Sequence, residues 1–414
     1  MQLALRQPDL EFQAEVRRFI DRYWPQRVRG SSNAVYGPHR DRNPEVRTWF
    51  DALVANQWSV PNWPADQGGV GWSPVQNLIW DRETARAQTP LMSTVGVDLL
   101  GPVLYRFGSP EQQGRFLPPI REARVRWGQG CWESAADPDT TALTATIRGE
   151  EGYLVSGETA CVAEGLPRGA PQHDQRAADW MFCLVRTRGD TSRCEGVSLL
   201  LIDRRSHGIQ IERVATLGAR FSVEQLSLSD VRVPVRQRIG PENEGWACLQ
   251  ASRTPKPIGA TGLAACRVEL ERVGRSAAQS PSDGASVADE AAFQRTYREL
   301  EIDLLGLEML ELRIVARNEP SQTSEPASSV LENVLALKSA ELDRRIADLM
   351  IETLGYYALP CPDDLLIDNE GSIGHDYALS AVRGWVLAHG PGIYGGSVED
   401  QKDVIARSAL GLQA

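Results

Sequence analysis

VEQLSLSDVRVP, residues 223–234, alternates apolar and polar side chains with period two and stops at a proline, the signature of a strand with one face buried. Working upstream, YLVSG (153–157), WMFCLVRT (180–187), GVSLLLID (196–203) and GIQIERV (208–214) are short runs rich in β-branched and apolar residues. Gly, Asp and Ser separate them. Such spacing predicts an all-β domain, a barrel or sandwich, over residues 121–237. On either side the period changes to that of a helix. Before the strands, Leu10, Phe12, Val16, Phe19 and Ile20 recur at helical spacing, as do Trp49, Leu53 and Val54. After them, LEIDLLGLEMLELRIVA (300–316) and VLENVLALKSAELDRRIADLMIETLGYYAL (330–359) carry apolar residues at i, i+3, i+4 and i+7 over many turns. The chain is therefore expected to be α+β: an N-terminal helical domain (1–120), the central β-domain, and a C-terminal four-helix-like bundle (238–414).

Two local signals refine the helical parts. VPNWPADQGGVGWSP (60–74) holds Pro61, Pro64, Gly68, Gly69 and Gly71, and Trp58, Trp63 and Trp72 lie in or beside it, so it reads as an ordered loop. GSPEQQGRFLPPI (108–120) reads as a short helix with Ser109 as N-cap, Pro110 in the first turn and Gln112 three positions after the cap. SAAQSPSDGASVADE (276–290) and NEPSQTSEPASS (318–329) read as loops between helices.

Composition narrows the function classes. A net charge of −11, with no basic stripe, argues against a general nucleic-acid binder. No apolar run is long enough to span a bilayer, for which roughly 20 residues are needed. The opening MQLALRQPDLEF does not resemble a secretory signal. The seven cysteines (Cys131, Cys161, Cys183, Cys194, Cys248, Cys266, Cys361) form no C-x-x-C pair, and reduced thiols in a cytoplasmic protein is the simplest reading. Five scattered histidines with no H-x-x-x-H give no metal site.

Several segments, in order, resemble the acyl-CoA dehydrogenase family. The Pro- and Gly-rich loop at 60–74 and FGSPEQQGRFLPPI (107–120) are similar to its N-terminal motifs. GQGCWESAADPDTTAL (128–143) resembles the stretch that usually reads close to S-E-P-G-A-G-S-D. YLVSGETACVAEG (153–165) and ADWMFCLVRT (178–187) resemble the strands that follow. LSLSDVRVP (226–234), GPENEGW (240–246) and IYGGSVEDQKDVIAR (393–407) complete the series. The helices at 293–313 and 351–360 look most like the large-subunit type of paired bacterial enzymes. The resemblance implies a flavoprotein oxidoreductase of lipid metabolism that binds FAD and an acyl-CoA thioester. In that family a carboxylate removes the α-proton, hydride leaves the β-carbon for the flavin, and electron-transfer flavoprotein reoxidises the cofactor.

Residue by residue, the resemblance breaks at the site. One branch of the family places its base directly after the Tyr of I-Y-E-G-T. Here that Tyr is Tyr394 and the base position is Gly395, followed by Gly396 and Ser397. A second branch places a Glu-Arg pair about ten residues after Gly-Trp, which falls on Lys256-Pro257. Glycine accepts no proton, and lysine, with a reference pKa of about 10.4, is ordinarily a cation. If the register shifts, Glu399 or Asp400 substitutes. The flavin-facing stretch becomes Gln129-Gly130-Cys131-Trp132, so Trp132 stands at the hydroxyl position. On the next strand Cys161 stands at the flavin-facing Trp position and Ala163 at the hydroxyl position. Beside the substrate, Pro138 replaces the Ser of G-A-G-S-D while Asp139 is kept. Glu352 matches a Gln that meets the neighbouring subunit's FAD, and an acid there repels a pyrophosphate. The Gly395–Gly396 turn, the Ser397 cap and Gln401 keep the family pattern.

The resemblance thus implies a dehydrogenase-like subunit that lacks its own base and pairs with a homologous subunit, with FAD at the interface if present. Two other readings stay open: a stand-alone FAD enzyme of altered chemistry, and a non-catalytic acyl-CoA-binding or scaffold protein that assembles with itself.

Overall fold

The computed structural model describes residues 5–26, 44–90, 95–130, 143–147, 152–164, 178–189, 195–214, 221–252, 262–282, 285–317, 327–359, 378–389 and 398–412. Helix α1 (Gln7–Tyr23) buries Phe12, Val16, Phe19 and Ile20. Leu10, expected on that face, is exposed, because it lies on the solvent side of the same turn. Helix α2 (Pro44–Ala55) brings Trp49 and Leu53 to α1. The rings of Phe19, Trp49, Trp58, Trp72 and Trp80 then interlock, with Phe19 4.5 Å from Trp58 and Trp49 stacked on Trp80. Trp58 and Trp72 belong to this aromatic core, whereas Trp63 turns the other way. Its Nε1 donates to Val97 O at 3.1 Å, and it packs in the core shared with the strands. The ordered loop is thus a staple between two cores. Gly101 is required beneath it, since a Cβ there would stand 2.2 Å from the Trp63 ring.

Helix α3 (Pro74–Arg86) follows, then a π-helical turn (Val95–Leu100), α4 (Gly101–Phe107) and α5 (Pro110–Arg121). Helix α5 begins as its sequence predicts. Ser109 Oγ accepts from Gln112 N at 3.2 Å, and Gln112 Oε1 accepts from Ser109 N at 2.8 Å. The other end of the Gln112 amide donates to the carbonyls of Arg236 and Arg238, both at 2.8 Å, tying α5 to the segment that leaves the strands.

The strands β1 (Trp127–Gly130), β2 (Leu143–Ile147), β3 (Tyr153–Glu164), β4 (Trp180–Arg186), β5 (Val197–Asp203), β6 (Ile209–Val214), β7 (Phe221–Val233) and β8 (Arg238–Ile239) form one sheet in the order β6-β7-β3-β1-β4-β5-β8, with β2 bridging β3 and β4. The two strand textures in the sequence have a physical cause. Strands β4 and β5 are apolar throughout because both faces are covered. Trp180, Phe182, Leu184, Leu199 and Leu201 face the N-terminal helices, while Met181, Cys183, Val185, Leu200 and Ile202 face the interior of the strand domain. Strand β7 alternates because one face is covered: Glu224, Leu226, Leu228, Val231 and Val233 are buried, while Ser229, Asp230 and Arg232 are exposed.

Beyond the strands, α6 (Gly245–Ser252), α7 (Leu263–Gln279), α8 (Ala291–Arg317), α9 (Ala327–Leu354), α10 (Ala378–His389) and α11 (Val398–Leu410) complete the chain. Leu270, Val273, Leu300, Leu304, Ile314, Leu342, Ile346 and Leu349 fill their shared core, and Leu78 of α3 joins them. The loop expected at 276–290 starts later than the sequence suggests. Helix α7 continues to Gln279, because Ser276 and Ala277 are small enough to be fully buried against α9. A two-strand hairpin of β9 (Pro281–Ser282) and β10 (Ala285–Ser286) makes the turn. No described helix is long and apolar enough to cross a membrane.

Candidate flavin and acyl-CoA site

Strand β1 leads into the segment that carries most of the expected site. Its WGQG sequence has no bulky side chain after Trp127 except Gln129, which lets it slot between two neighbours. It runs antiparallel to β3, pairing Gly128 with Ala163, Gln129 with Val162 and Gly130 with Cys161. It runs parallel to β4, pairing Gln129 with Phe182. Gln129, Gly130, Cys161 and Ala163 are therefore side by side in the sheet. Gly130 is fixed by sterics, since a Cβ there would lie 2.3 Å from Cys183 Sγ. Beneath β1 lies an aromatic floor. Phe116 is 5.5 Å from Trp127 and 5.2 Å from Trp180, and the Arg115 guanidinium sits 5.4 Å over the Trp180 ring.

The side chains there differ in what they offer. Cys161 is buried among Val155, Met181, Cys183 and Leu226, with no solvent-facing surface. Gln129 is partly buried, and among the described residues nothing donates to its Oε1. The Trp127 Nε1 is likewise buried and without an acceptor among them. Cys131, Trp132, Pro138, Asp139, Lys256, Tyr394, Gly395, Gly396 and Ser397 lie outside the described residues. Glu352 is on α9 and exposed.

One residue of this region escaped the sequence reading. Glu224 lies across from Cys161 in the β3–β7 register and is fully buried. Arg204 Nη2 donates to its Oε2 at 2.5 Å, both side chains have zero exposure, and Arg204 Nη1 donates to Ala178 O at 3.2 Å. The signal was present: position 224 is in phase with Leu226 and Leu228, so the alternation itself places a carboxylate on the inward face. A charge buried that way needs a fixed partner.

Other buried acids belong to the helices. Asp81 on α3 is held well above the ordinary carboxyl range, first by burial and then by Glu311, with Arg82 opposing. Burial also raises Glu269 and Asp343, with Arg272 and His389 respectively opposing. Burial raises the Cys266 thiol further, with Asp343 and Glu269 adding to it. Cys161, Cys183, Cys248 and Cys266 are buried thiols outside any disulfide. Among the described residues no cluster of His, Cys, Asp and Glu could hold a metal ion.

A helical segment, an eight-stranded sheet with a short Gly-rich strand at its centre, and a helical bundle define the class. The acyl-CoA dehydrogenase N-terminal domain model matches residues 7–124 and the acyl-CoA dehydrogenase C-terminal domain model matches residues 246–410. The chain belongs to the acyl-CoA dehydrogenase family, whose members are FAD-dependent oxidoreductases. It is similar to acyl-CoA dehydrogenase IpdE1 of Mycobacterium tuberculosis, 26% identical over 411 residues and 97% of each chain. It is also similar to acyl-CoA dehydrogenase FadE26 of the same organism, 25% identical over 415 residues and 97% of each chain. Among solved structures, the ChsE4–ChsE5 complex from M. tuberculosis aligns over 100% of both chains with TM-score 0.73 and 21% identity. The Tcur3481–Tcur3483 steroid ACAD aligns over 100% of both chains with TM-score 0.73 and 19% identity. These two likenesses show the shared fold.

Proposed function

We propose that this chain is one subunit of a flavin-dependent complex that desaturates an acyl-CoA thioester between the α and β carbons, with a homologous partner subunit supplying the base. The observation that carries the reading is chemical: both positions where the family places its base, Gly395 and Lys256, hold residues that do not act as carboxylates. The site positions Trp132, Cys161 and Ala163 depart from the family in the same chain, whereas the apolar cores of the helices are intact. Structural likeness to the paired ChsE4–ChsE5 and Tcur3481–Tcur3483 proteins supports a heteromer. Because the latter is a steroid ACAD, steroid-derived acyl groups are the first class to test. The chain divides, on this reading, at residues 120 and 237, and works in the cytoplasm.

The described residues partly fit FAD. Gln129 Oε1 is a buried acceptor awaiting a donor, whereas the Cys161 side chain, expected at the flavin face, is enclosed in the strand-domain interior, and neither Cys161 nor Ala163 provides the hydroxyl. On this reading Gln129, Cys131, Trp132, Ala163, Gly396 and Ser397 border the cofactor, and Pro138, Asp139, Tyr394 and Gly395 border the acyl-CoA. FAD, when bound, would supply the oxidant for the substrate's β-hydride, with electron-transfer flavoprotein as the electron acceptor. This chain's part is to exclude water and hold the thioester while the partner's carboxylate takes the α-proton. The test is to purify the chain alone and together with a homologous dehydrogenase encoded beside it. The expected result is no bound flavin alone and flavin that bleaches with acyl-CoA in the complex. A flavin-loaded, acyl-CoA-reducible chain on its own defeats the reading.

A further inference from the structure

Helix α10 ends in a cluster of side chains outside the flavin and acyl-CoA site. Trp385 and His389 lie one turn apart on it, and their rings stack with centroids 4.4 Å apart. Both reach across to α9. Trp385 Nε1 donates to Asp348 Oδ1 at 2.7 Å, and His389 Nε2 lies 3.3 Å from the same oxygen. The other ring nitrogen, Nδ1, is 2.9 Å from the carbonyl oxygen of Trp385, one of the last carbonyls of α10.

A neutral imidazole has one N–H and one bare nitrogen. A backbone carbonyl and a carboxylate both accept and have nothing to donate to a bare nitrogen. For both contacts to be hydrogen bonds, both ring nitrogens must carry hydrogen, so the ring that fits is the imidazolium. Its surroundings suit a cation. His389 is the last residue of α10, where the helix dipole is negative, and it lies against an indole face. The charged groups that α9 brings near it are Asp348 and Asp343. Burial raises the Asp343 carboxyl, with His389 and then Arg344 opposing that rise. The turn at Gly355–Ala358 also packs on α10, and its titratable side chains are tyrosines alone.

We infer that His389, as an imidazolium, is a pH-sensitive latch that fastens the C-terminal end of α10 to α9 through Asp348. In acid the ring bridges the Asp348 carboxylate and the Trp385 carbonyl at once. As pH rises through the histidine range, one nitrogen loses its hydrogen and one of the two bonds goes with it. The latch therefore contributes stability in acid that is lost as pH rises. The chain leaves α10 at His389 and reaches Gly395 six residues later. On the proposed function, the latch thus sets where the segment holding Tyr394 to Ser397 begins. The latch itself needs no flavin, acyl-CoA or partner, so its failure and the failure of the functional reading are distinguishable.

The test is a double-mutant cycle on the full chain, with His389→Gln and Asp348→Asn made singly and together. Thermal unfolding is followed at about pH 5.5 and about pH 9, on either side of the reference histidine value of about 6.5. The two side chains are 32% and 48% exposed, which keeps the effect small. At the lower pH each single variant is expected to lower the midpoint by about 1–3 °C, and the double variant by no more than either single variant. At the higher pH this coupling is expected to shrink severalfold. A second readout is the emission of Trp385, taken as the difference between wild type and Trp385→Phe. An imidazolium against an indole quenches its fluorescence, so this emission is expected to rise with pH in the wild type and to stay flat in His389→Gln. No coupling in acid, a coupling of equal size at both pH values, or a Trp385 emission that follows pH equally in His389→Gln overturns the inference.

Discussion

The strand domain beside β1 and the helical bundle answer substitution differently. In the bundle, contacts are generic: Leu304 and Ile346 need volume and apolarity, and many side chains meet that need. In the strand domain the contacts are specific: a Cβ at Gly130 would meet Cys183 Sγ, and the buried Glu224 carboxylate accepts from Arg204. The difference teaches where this chain has room to change its chemistry. A fold of this kind keeps its shape through the bundle and the aromatic core, so positions that serve only a reaction can alter without loss of structure.

The comparison breaks first at the buried ion pair. Arg204→Met takes the cation away from the buried Glu224 carboxylate, and is expected to cost about 3–5 kcal/mol in urea unfolding. Arg204→Met/Glu224→Leu is expected to recover most of that, which an ordinary packing defect does not predict. In the bundle, Leu304→Ala is expected to cost about 2–5 kcal/mol and no second substitution nearby restores it except one that refills the cavity. Gly130→Ala sharpens the contrast at a smaller scale. Its Cβ meets Cys183 Sγ, so a loss of about 1–3 kcal/mol is expected, and Cys183→Ala in the same chain is expected to relieve it.

The smallest effect is a pH dependence. Asp81 binds its proton more tightly folded than unfolded, so its contribution is present in acid and is lost as pH rises above the ordinary carboxyl range. Asp81→Asn removes that loss. Thermal unfolding is expected to show the variant a few degrees more stable than wild type near pH 8 and equal to it near pH 4. Equal midpoints at both pH values contradict the upward shift of the Asp81 carboxyl.

Much of the fold is legible in the sequence alone. The switch from helical period to period two and back marks the three stretches. The unbroken apolar runs of WMFCLV and VSLLLI differ from the alternation of SLSDVRV because the former strands are covered on both faces. Ser109 and Gln112 announced a capping box. Leu10 misled, because apolarity alone does not give a side chain its angle on the helix. The hidden features were long-range: no local pattern tells that the Gln112 amide spans to the Arg236 and Arg238 carbonyls, or that Trp63 turns away from Trp58 and Trp72. For the site, the sequence named the substitutions, and the structure adds the register that sets Gly130 against Cys161 and the buried carboxylate opposite it.

The central claim is that this chain cannot abstract the α-proton by itself. The direct measurement is enoyl-CoA formation with an artificial electron acceptor, using the chain alone, reconstituted with excess FAD, on short-chain, long-chain and steroid acyl-CoA thioesters. The account predicts no turnover with any of them, and turnover once the homologous partner is added, lost again when the partner's base carboxylate is changed to its amide. Desaturation by the FAD-supplemented chain alone would contradict it.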